Sequence, residues 1–291
     1  MNLSTNVAEV SLRSPVLTAS GTAGHGDELA GYGDLAQLGA VVVKSLAAFA
    51  WAGNRAPRVG AVGDEMINSV GLSGPGVAAW REKELPALRA RGATVVGSIW
   101  GRSVDEFEEA AELMRGADVA ALEVNASCPN LESRSTIFAH SASMTAEIVA
   151  AAKSAQLPLW VKLSPNTPAL VEVAQAALEA GASALVLVNT LLGLAIDVET
   201  RRATLGNGGG GVSGPGLLPV SLRAVYECRA AFPDVGIVGV GGVTRGADAV
   251  EVGTATFSNP RAPWLIQREV ERWMTRHAVS TWRELRGVAH G

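Results

Sequence analysis

The chain has 291 residues, enough for one domain with a full hydrophobic core, and no shift in composition divides it. Hydrophobic residues make up 48% and charged residues 18%, which excludes a disordered chain, and the net charge of −4 argues against a surface for nucleic-acid phosphates. No apolar run reaches the ~20 residues of a membrane-spanning helix, and residues 1–15 lack the pattern of a secretion signal. We therefore expect a single domain over 1–291, located in the cytoplasm.

Eight short runs rich in β-branched residues alternate with helix-like segments. The runs cover 16–19, 41–45, 95–100, 121–127, 159–164, 184–190, 236–242 and 249–256. Most are continuously apolar, which is typical of parallel strands covered on both faces. This alternation predicts an α/β fold, and both a closed (β/α)₈ barrel and an open doubly wound sheet fit it.

Helices are predicted where Ala, Leu and Glu-rich segments follow these runs. They include 27–38, 78–92, 103–116 and 167–181, and several begin at Ser, Thr or Asp and end at Gly. The Gly-rich stretch 191–216 is too long for an ordinary turn. It is either a functional loop or a disordered surface insertion.

Nearly every predicted strand ends in residues that can contact a ligand. These are Ser20 and Gly21, Lys44 and Ser45, residues 125–128, Lys162, Asn189 and Thr190, Gly241 and Gly242, and Gly253 and Thr254. In a barrel such ends converge on one face, where the active sites of that fold lie. The two late glycine pairs are typical of a phosphate site, because glycine lets backbone N–H groups approach an anion closely. A phosphorylated cofactor is therefore expected.

Lysine and asparagine side chains add a preference for an anionic, amide-edged ligand. Lys44 and Lys162 close apolar strands, where a buried ammonium needs a partner: an anionic ligand, an acidic side chain, or solvent reached by snorkelling. Asparagines offer both donors and acceptors to a flat heterocycle, although each could instead cap a turn. The asparagines concerned are Asn68, Asn125, Asn130 and Asn189.

The two cysteines stand in different contexts. Cys128 lies at a strand end before a proline, where a thiolate beside cations can act as a base or nucleophile, whereas Cys228 lies in a helix-like segment and predicts core packing. Two cysteines cannot ligate a four-thiolate iron–sulfur cluster, so any cluster would lie on another chain. The four histidines lack metal-ligand spacing, and no metal is expected.

An ordered set of motifs covers nearly the whole chain. The motifs are PVLTASGT, GAVVVKS, GNRAPRV, INSVGLSGPG, EVNASCPN, VKLSPN, LVNTLLG, GGGGVSGPG, VGVGG and VGTATF. Together they resemble the class 1 dihydroorotate dehydrogenases, and GNRAPRV and NGGGGVSGPG are more similar to class 1B than to class 1A. The resemblance implies a flavin-binding (β/α)₈ TIM barrel that oxidises dihydroorotate to orotate in pyrimidine biosynthesis with FMN. It also implies an electron-transfer subunit with FAD and an iron–sulfur cluster, in a homodimer or heterotetramer.

The resemblance further implies a role for each matching residue. FMN would contact Ser20, Lys44, Ser45, Asn125, Lys162, Val188, Gly214, Gly241, Gly242, Gly253 and Thr254. Substrate would be held by Lys44, Asn68, Ser69, Val70, Gly71, Leu72, Asn125, Asn130, Asn189 and Thr190. Cys128 would remove the C5 proton while hydride passes from C6 to flavin N5, with Lys44 facing the substrate carboxylate and Lys162 the flavin. Residues 131–141 would form a lid.

The chain departs from this family at two places. Ser98 stands where many relatives carry Asn, which puts a flavin contact there in doubt. Between Gly242 and Gly253 the chain has too few residues for a helix, so the crossover between strands seven and eight is shortened. The barrel would then lack one outer helix, or strand eight would be displaced. Two alternatives stay open: a related pyrimidine-reducing flavoprotein, and a catalytically impaired barrel that acts as a binding subunit.

Overall fold

Eight parallel strands form a closed barrel in the computed structural model, which describes residues 2–127, 129–130, 136–242 and 249–290. The strands are β1 Val16–Thr18, β2 Ala40–Val42, β3 Val95–Ile99, β4 Ala121–Asn125, β5 Leu159–Leu163, β6 Ala184–Leu187, β7 Gly236–Val240 and β8 Ala249–Val252. Consecutive strands are neighbours, and β8 pairs with β1 to close the ring. The predicted (β/α)₈ barrel is confirmed, and the open sheet is excluded.

Helices cover the outside of the barrel. They are α1 Val77–Ala90, α2 Val104–Met114, α3 Ala142–Ala152, α4 Leu170–Glu179, α5 Leu218–Ala231, α6 Ala255–Ser258 and α7 Ala262–Arg276. The α2 helix illustrates why these segments are helical and pack on the barrel. At its start the Ser103 hydroxyl accepts a hydrogen bond from Glu106 N, and Phe107 and Met114 lie on its buried face. Among the described residues, no helix is long and apolar enough to cross a membrane.

The helix predicted over 27–38 is wrong. This segment forms two short 3-10 turns, Glu28–Gly31 and Leu35–Gln37. Between them Gly33 packs so closely against Trp264 that a Cβ atom would lie 2.5 Å from the indole ring. The Asp34 side chain then caps the second turn by accepting from Ala36 N. Glycine at this contact raises the cost of a continuous helix and favours the interruption.

The amino-terminal end of the barrel is closed by a hairpin of Thr5–Val7 and Val10–Leu12. Its buried side chains belong to the same apolar cluster as the inward-facing residues of the lower barrel, including Val42 and Trp160. Full burial of each large apolar side chain stabilises the fold by ~1.5–3 kcal/mol. Among the described residues, the interior is therefore apolar at this end of the barrel.

The Gly-rich stretch 191–216 is built into a second sheet, so the expectation of a disordered insertion is wrong. Its strands Leu191–Gly193 and Gly210–Ser213 join Glu65–Asn68 and Val59–Val62 in a four-stranded antiparallel sheet. Its remaining strands, Ile196–Asp197 and Arg202–Ala203, form a small hairpin. Because Asn68 pairs with Gly211, this sheet fixes the start of the segment assigned to substrate.

Strand β8 occupies its ordinary place despite the short crossover. It pairs in parallel with β7 through Val238 and Ala249 on one side, and with β1 on the other. Only residues 241–248 join the two strands, and 243–248 lie outside the described residues. The expectation of a displaced strand eight is therefore wrong, and the described part of the crossover contains no helix.

We expect the short crossover to cost stability. Insertion of about 12 helix-forming residues after Gly242 would cover β7 and β8 as a normal crossover does. One or two added apolar contacts at ~1.5–3 kcal/mol each, and ~2–4 °C per kcal/mol, predict a melting temperature at least about 3 °C higher, together with tighter FMN binding. Circular dichroism and FMN fluorescence titration measure both, after intact mass has confirmed the length of the chain. Equal melting temperatures and affinities would show that the short crossover is harmless.

Candidate active site

The carboxyl ends of the barrel strands bring the predicted cofactor residues to one face. Ser20 follows β1, Lys44 and Ser45 follow β2, Asn125 ends β4, Lys162 lies in β5, Val188 follows β6, Gly241 and Gly242 follow β7, and Gly253 and Thr254 follow β8. Gly214 follows the sheet strand Gly210–Ser213. The expected convergence of these positions is confirmed, whereas their individual roles stay predictions.

A chain of hydrogen bonds runs from the rim into the barrel. The Asn189 amide donates to Asn125 Oδ1 over 3.2 Å, and the Asn125 amide donates to Ser45 Oγ over 3.1 Å. The Ser45 and Ser98 hydroxyls lie 2.9 Å apart, and Ser98 donates to Glu123 Oε1 over 3.0 Å. Ser98 is fully buried and its hydroxyl is used by these protein groups. It therefore connects the rim amides to an interior carboxylate.

Lys162 is held inside the barrel by two carboxyl groups. Its Nζ lies 2.7 Å from Glu251 Oε2 and 3.5 Å from Glu123 Oε2, and it donates to Ser20 Oγ over 3.3 Å. Burial by itself lowers the pKa of Lys162, but Glu123 and Glu251 together raise it above its ordinary value. The alternative in which this lysine pairs with an acid is thus confirmed. Its bond to Ser20 also leaves the ammonium directed to the cofactor face.

No role was predicted for Glu123 or Glu251 from the sequence, although the sequence around each residue indicates one. Each is one carboxylate inside an otherwise apolar strand, in ALEVN and AVEV. A buried carboxylate without a partner is costly, so such a position demands a cation or a retained proton. Burial, followed by the nearby Glu123 carboxylate, raises the pKa of Glu251 against the opposing effect of Lys162.

At the rim, Lys44 lies in a cationic corner. Its Nζ donates to Ser73 Oγ over 2.9 Å, which ties the end of β2 to the residue after the predicted substrate segment. Burial, and then the charge of Arg58, lower the pKa of Lys44. Burial, followed by the Lys44 charge, also lowers the pKa of His25, against a smaller effect of Glu28. Two positive groups at one rim attract an anion. Arg58 lies in the GNRAPRV motif, but the sequence alone gives it no predicted role.

The predicted substrate segment, residues 68–72, is fixed by hydrogen bonds from a neighbouring loop. Asn54 N donates to the Val70 carbonyl over 3.0 Å, and the Trp51 indole N–H donates to the Gly71 carbonyl over 3.0 Å. Gly71 and Leu72 both have positive φ, at 72° and 59°. Such a conformation is uncommon for leucine and persists only where surrounding contacts determine it. The segment is therefore a shaped wall of the site.

Glycines stand at the ends of β7 and β8, where the backbone N–H groups carry no covering side chain of their own residue. Gly241 and Gly242 have φ of 101° and 77°, in the left-handed region. A Cβ at Gly241 would lie 2.8 Å from Ser221 Oγ, and that hydroxyl donates to the Gly241 carbonyl over 2.9 Å. Above β1, a Cβ at Gly21 would meet nothing within 4 Å, so space is open there. This backbone shape fits a bound phosphate.

Several predictions fall partly or wholly outside the described residues. Cys128, residues 131–135 and the side chain of Asn130 are among them, although the backbone strand Pro129–Asn130 pairs with Thr136–Ile137.

Cys228 is fully buried in α5, where burial, followed by Glu227, raises the pKa of its thiol to about 12. The prediction that Cys228 serves core packing is confirmed.

Comparison with known proteins gives a consistent result. The family model described as "Dihydroorotate dehydrogenase" matches residues 2–259. The chain is 43% identical to "Dihydroorotate dehydrogenase B (NAD(+)), catalytic subunit" of Alkaliphilus metalliredigens, covering 99% of this chain and 98% of the relative. Proteins of the same name from Alkaliphilus oremlandii and Trichlorobacter lovleyi are 41% and 40% identical, covering 98% and 99% of both chains. The alignments to the two Alkaliphilus proteins span 298 and 297 positions, more than the 291 residues here, so these relatives contain residues without a counterpart.

Proposed function

The chain belongs to the dihydroorotate dehydrogenase family, and on that premise we propose that it is the catalytic chain of a class 1B enzyme. The family that the motifs indicated is confirmed by these relatives, which match it over almost their whole length. The reaction is the oxidation of dihydroorotate to orotate in pyrimidine biosynthesis, with FMN as the resident cofactor.

The observation that carries this function is the placement of a cation, amides and a glycine cradle on one face of a closed barrel. The left-handed backbone at Gly241 and Gly242 suits the FMN phosphate, and Lys162 and Asn125 offer donors that a flavin ring edge accepts. These residues therefore fit FMN. When bound, FMN supplies the hydride acceptor of the reaction.

This chain's own residues would orient the substrate and move one proton. Lys44, with Arg58 nearby, provides positive charge for the substrate carboxylate, while the fixed segment 68–72 supplies the adjacent wall. Asn189 and Thr190 are prearranged, because Thr190 N donates to Asn189 Oδ1 over 2.8 Å. Cys128 would take the C5 proton of dihydroorotate. Holding the reacting groups in this way reduces the entropic cost of reaching the transition state.

One experiment separates this function from the two alternatives. The purified chain is expected to be yellow from bound flavin and to bleach when dihydroorotate is added without oxygen. Bleaching by dihydrouracil, but not by dihydroorotate, would favour a pyrimidine-reducing flavoprotein instead. A colourless chain that does not bind added FMN would favour an impaired barrel kept for binding.

We also propose an electron-transfer partner that carries FAD and an iron–sulfur cluster, with this chain in a homodimer or in a heterotetramer with that partner. The relatives are named catalytic subunits, which implies a separate subunit. Two cysteines cannot ligate such a cluster here, and the chain has no strand–GxGxxG–helix fingerprint for a dinucleotide.

We therefore expect the isolated chain to reduce artificial dyes with dihydroorotate but to react poorly with NAD⁺. The physical reason is that electrons would reach NAD⁺ one at a time through an iron–sulfur carrier, which this chain lacks. Steady-state assays with a dye, fumarate and NAD⁺, with and without the partner, measure this directly. Full-speed reduction of NAD⁺ by the single chain, shown free of partner by mass spectrometry, would make the class 1B proposal wrong.

A further inference from the structure

The barrel interior contains two buried carboxyl groups for one ammonium group. Glu123, Lys162 and Glu251 are 0%, 3% and 3% exposed and come from β4, β5 and β8. The strands that flank β8, which are β7 and β1, carry no ionisable side chain, and neither do β2, β3 and β6. Within the described strands, these three groups must therefore balance their own charge.

Full ionisation would leave one uncompensated negative charge among buried groups. Such a charge costs several kcal/mol, so the cluster is expected to retain one proton. The hydrogen bonds indicate which carboxyl group carries this proton. Glu123 Oε1 accepts from the Ser98 hydroxyl, which stabilises a carboxylate, whereas Glu251 Oε1 is buried without a partner among the described residues. An unpartnered neutral oxygen costs less than an unpartnered half of a carboxylate.

We propose that Glu251 is a neutral carboxylic acid in the folded chain and that it acts as a positioning residue for Lys162. Glu123 alone then balances the ammonium charge. The carbonyl oxygen of Glu251 accepts from Lys162 Nζ, and this contact directs the ammonium toward Ser20 at the cofactor face. The link to catalysis rests on the proposed function, because it is FMN that Lys162 would face. The charge state of the cluster is a property of the chain itself and is tested without turnover.

The test compares urea unfolding of the full FMN-free chain with that of Glu251→Gln, a neutral side chain of the same shape. The folded pKa of Glu251 is raised to about 8, whereas an unfolded Glu has a pKa of ~4.3. The folded state thus binds one extra proton between these values, and stability falls as pH rises through this window. Relative to Glu251→Gln, the wild-type unfolding constant should rise about tenfold per pH unit from about pH 5.5 to about pH 8 and then level off.

A matched control is Glu106→Gln, which removes a carboxylate that pairs with Arg102 at the surface. This variant should follow the wild-type pH dependence. Parallel pH profiles for wild type and Glu251→Gln would overturn the proposal, because they would mean that Glu251 is ionised in the folded chain. If Glu251→Gln does not fold, infrared spectroscopy of the wild type decides. A buried carboxylic acid band that disappears on raising the pH supports the proposal, and its absence overturns it.

The positioning role has its own measurement in FMN binding. Glu251→Gln keeps an acceptor for Lys162 Nζ and should retain FMN affinity within about threefold, whereas Glu251→Ala removes the acceptor and should lose at least about tenfold. Equal losses in both variants would contradict positioning through Lys162. Failure of the proposed function would appear elsewhere, as a wild-type chain that binds FMN but is not bleached by dihydroorotate.

Discussion

Replacement of Cys128 by serine is expected to slow bleaching of the bound flavin by dihydroorotate by about 10²- to 10⁴-fold, while FMN stays bound. The base must lose its own proton before it can take one from C5. A serine hydroxyl is far less acidic than a thiol of pKa ~8.5, so it cannot form a usable base near neutral pH. In the sequence, Cys128 comes three residues after the end of β4 at Asn125, and its own position lies outside the described residues.

Anaerobic stopped-flow absorbance measures the reduction rate, and fluorescence titration measures FMN affinity. Cys228→Ala is the matched control, because Cys228 is buried in α5 away from the strand ends and should leave the reduction rate unchanged. A Cys128→Ser variant that is reduced as fast as the wild type would exclude Cys128 as the base. Loss of FMN from the same variant would indicate a structural role instead.

The second large effect is expected for Lys162→Met, which should lower the free energy of unfolding by about 3–5 kcal/mol at neutral pH. Methionine fills similar volume but leaves Glu123 and Glu251 buried without their cation. With Glu251 already neutral, one uncompensated negative charge remains in the variant, and proton uptake at lower pH removes it, so the deficit should shrink as pH falls.

Urea unfolding of both chains at several pH values gives these free energies. Lys153→Met serves as the control, because Lys153 is exposed at the end of α3 and should change stability by less than about 0.5 kcal/mol. A Lys162→Met deficit below about 1 kcal/mol, or one that grows toward acid pH, would contradict the buried charge cluster.

The barrel could be predicted from the sequence because burial on both faces leaves a continuous apolar run for each strand. Polar end residues were counted into those runs, so the run 184–190 is longer than the strand Ala184–Leu187. The segment 27–38 failed because its glycine contact with α7 is not a local property of the sequence. The sheet formed by 191–216 was not predicted either, since the pairing of Gly211 with Asn68 is long-range and Gly-rich strands carry little local signal.

In the candidate site, too, features local to the sequence could be predicted and long-range contacts could not. Residues at strand ends could be predicted to converge, because every parallel strand of a barrel points its carboxyl end to one face. The contact of Glu123 and Glu251 with Lys162 could not, since it exists only after β4, β5 and β8 are bent into a ring. The bond between Ser45 and Ser98 likewise depends on neighbouring strand register. From the sequence, Ser98 is only a departure from relatives, and its hydrogen bonds to Ser45 and Glu123 depend on the folded barrel.

The hairpin of Thr5–Val7 and Val10–Leu12 covers the amino-terminal end of the barrel, and the candidate site lies at the opposite, open end. Val7, Val10 and Leu12 are buried at the base of the barrel, so among the described residues this end of the barrel is covered, whereas the Glu123–Lys162–Glu251 cluster contacts Ser20 toward the carboxyl ends of the strands. A ligand seated at that opening separates the cluster from bulk water. We expect its retained proton to exchange with buffer quickly in the open chain and slowly in the occupied one. While a ligand is bound, the cluster thus keeps for longer the protonation state that it had when the ligand bound.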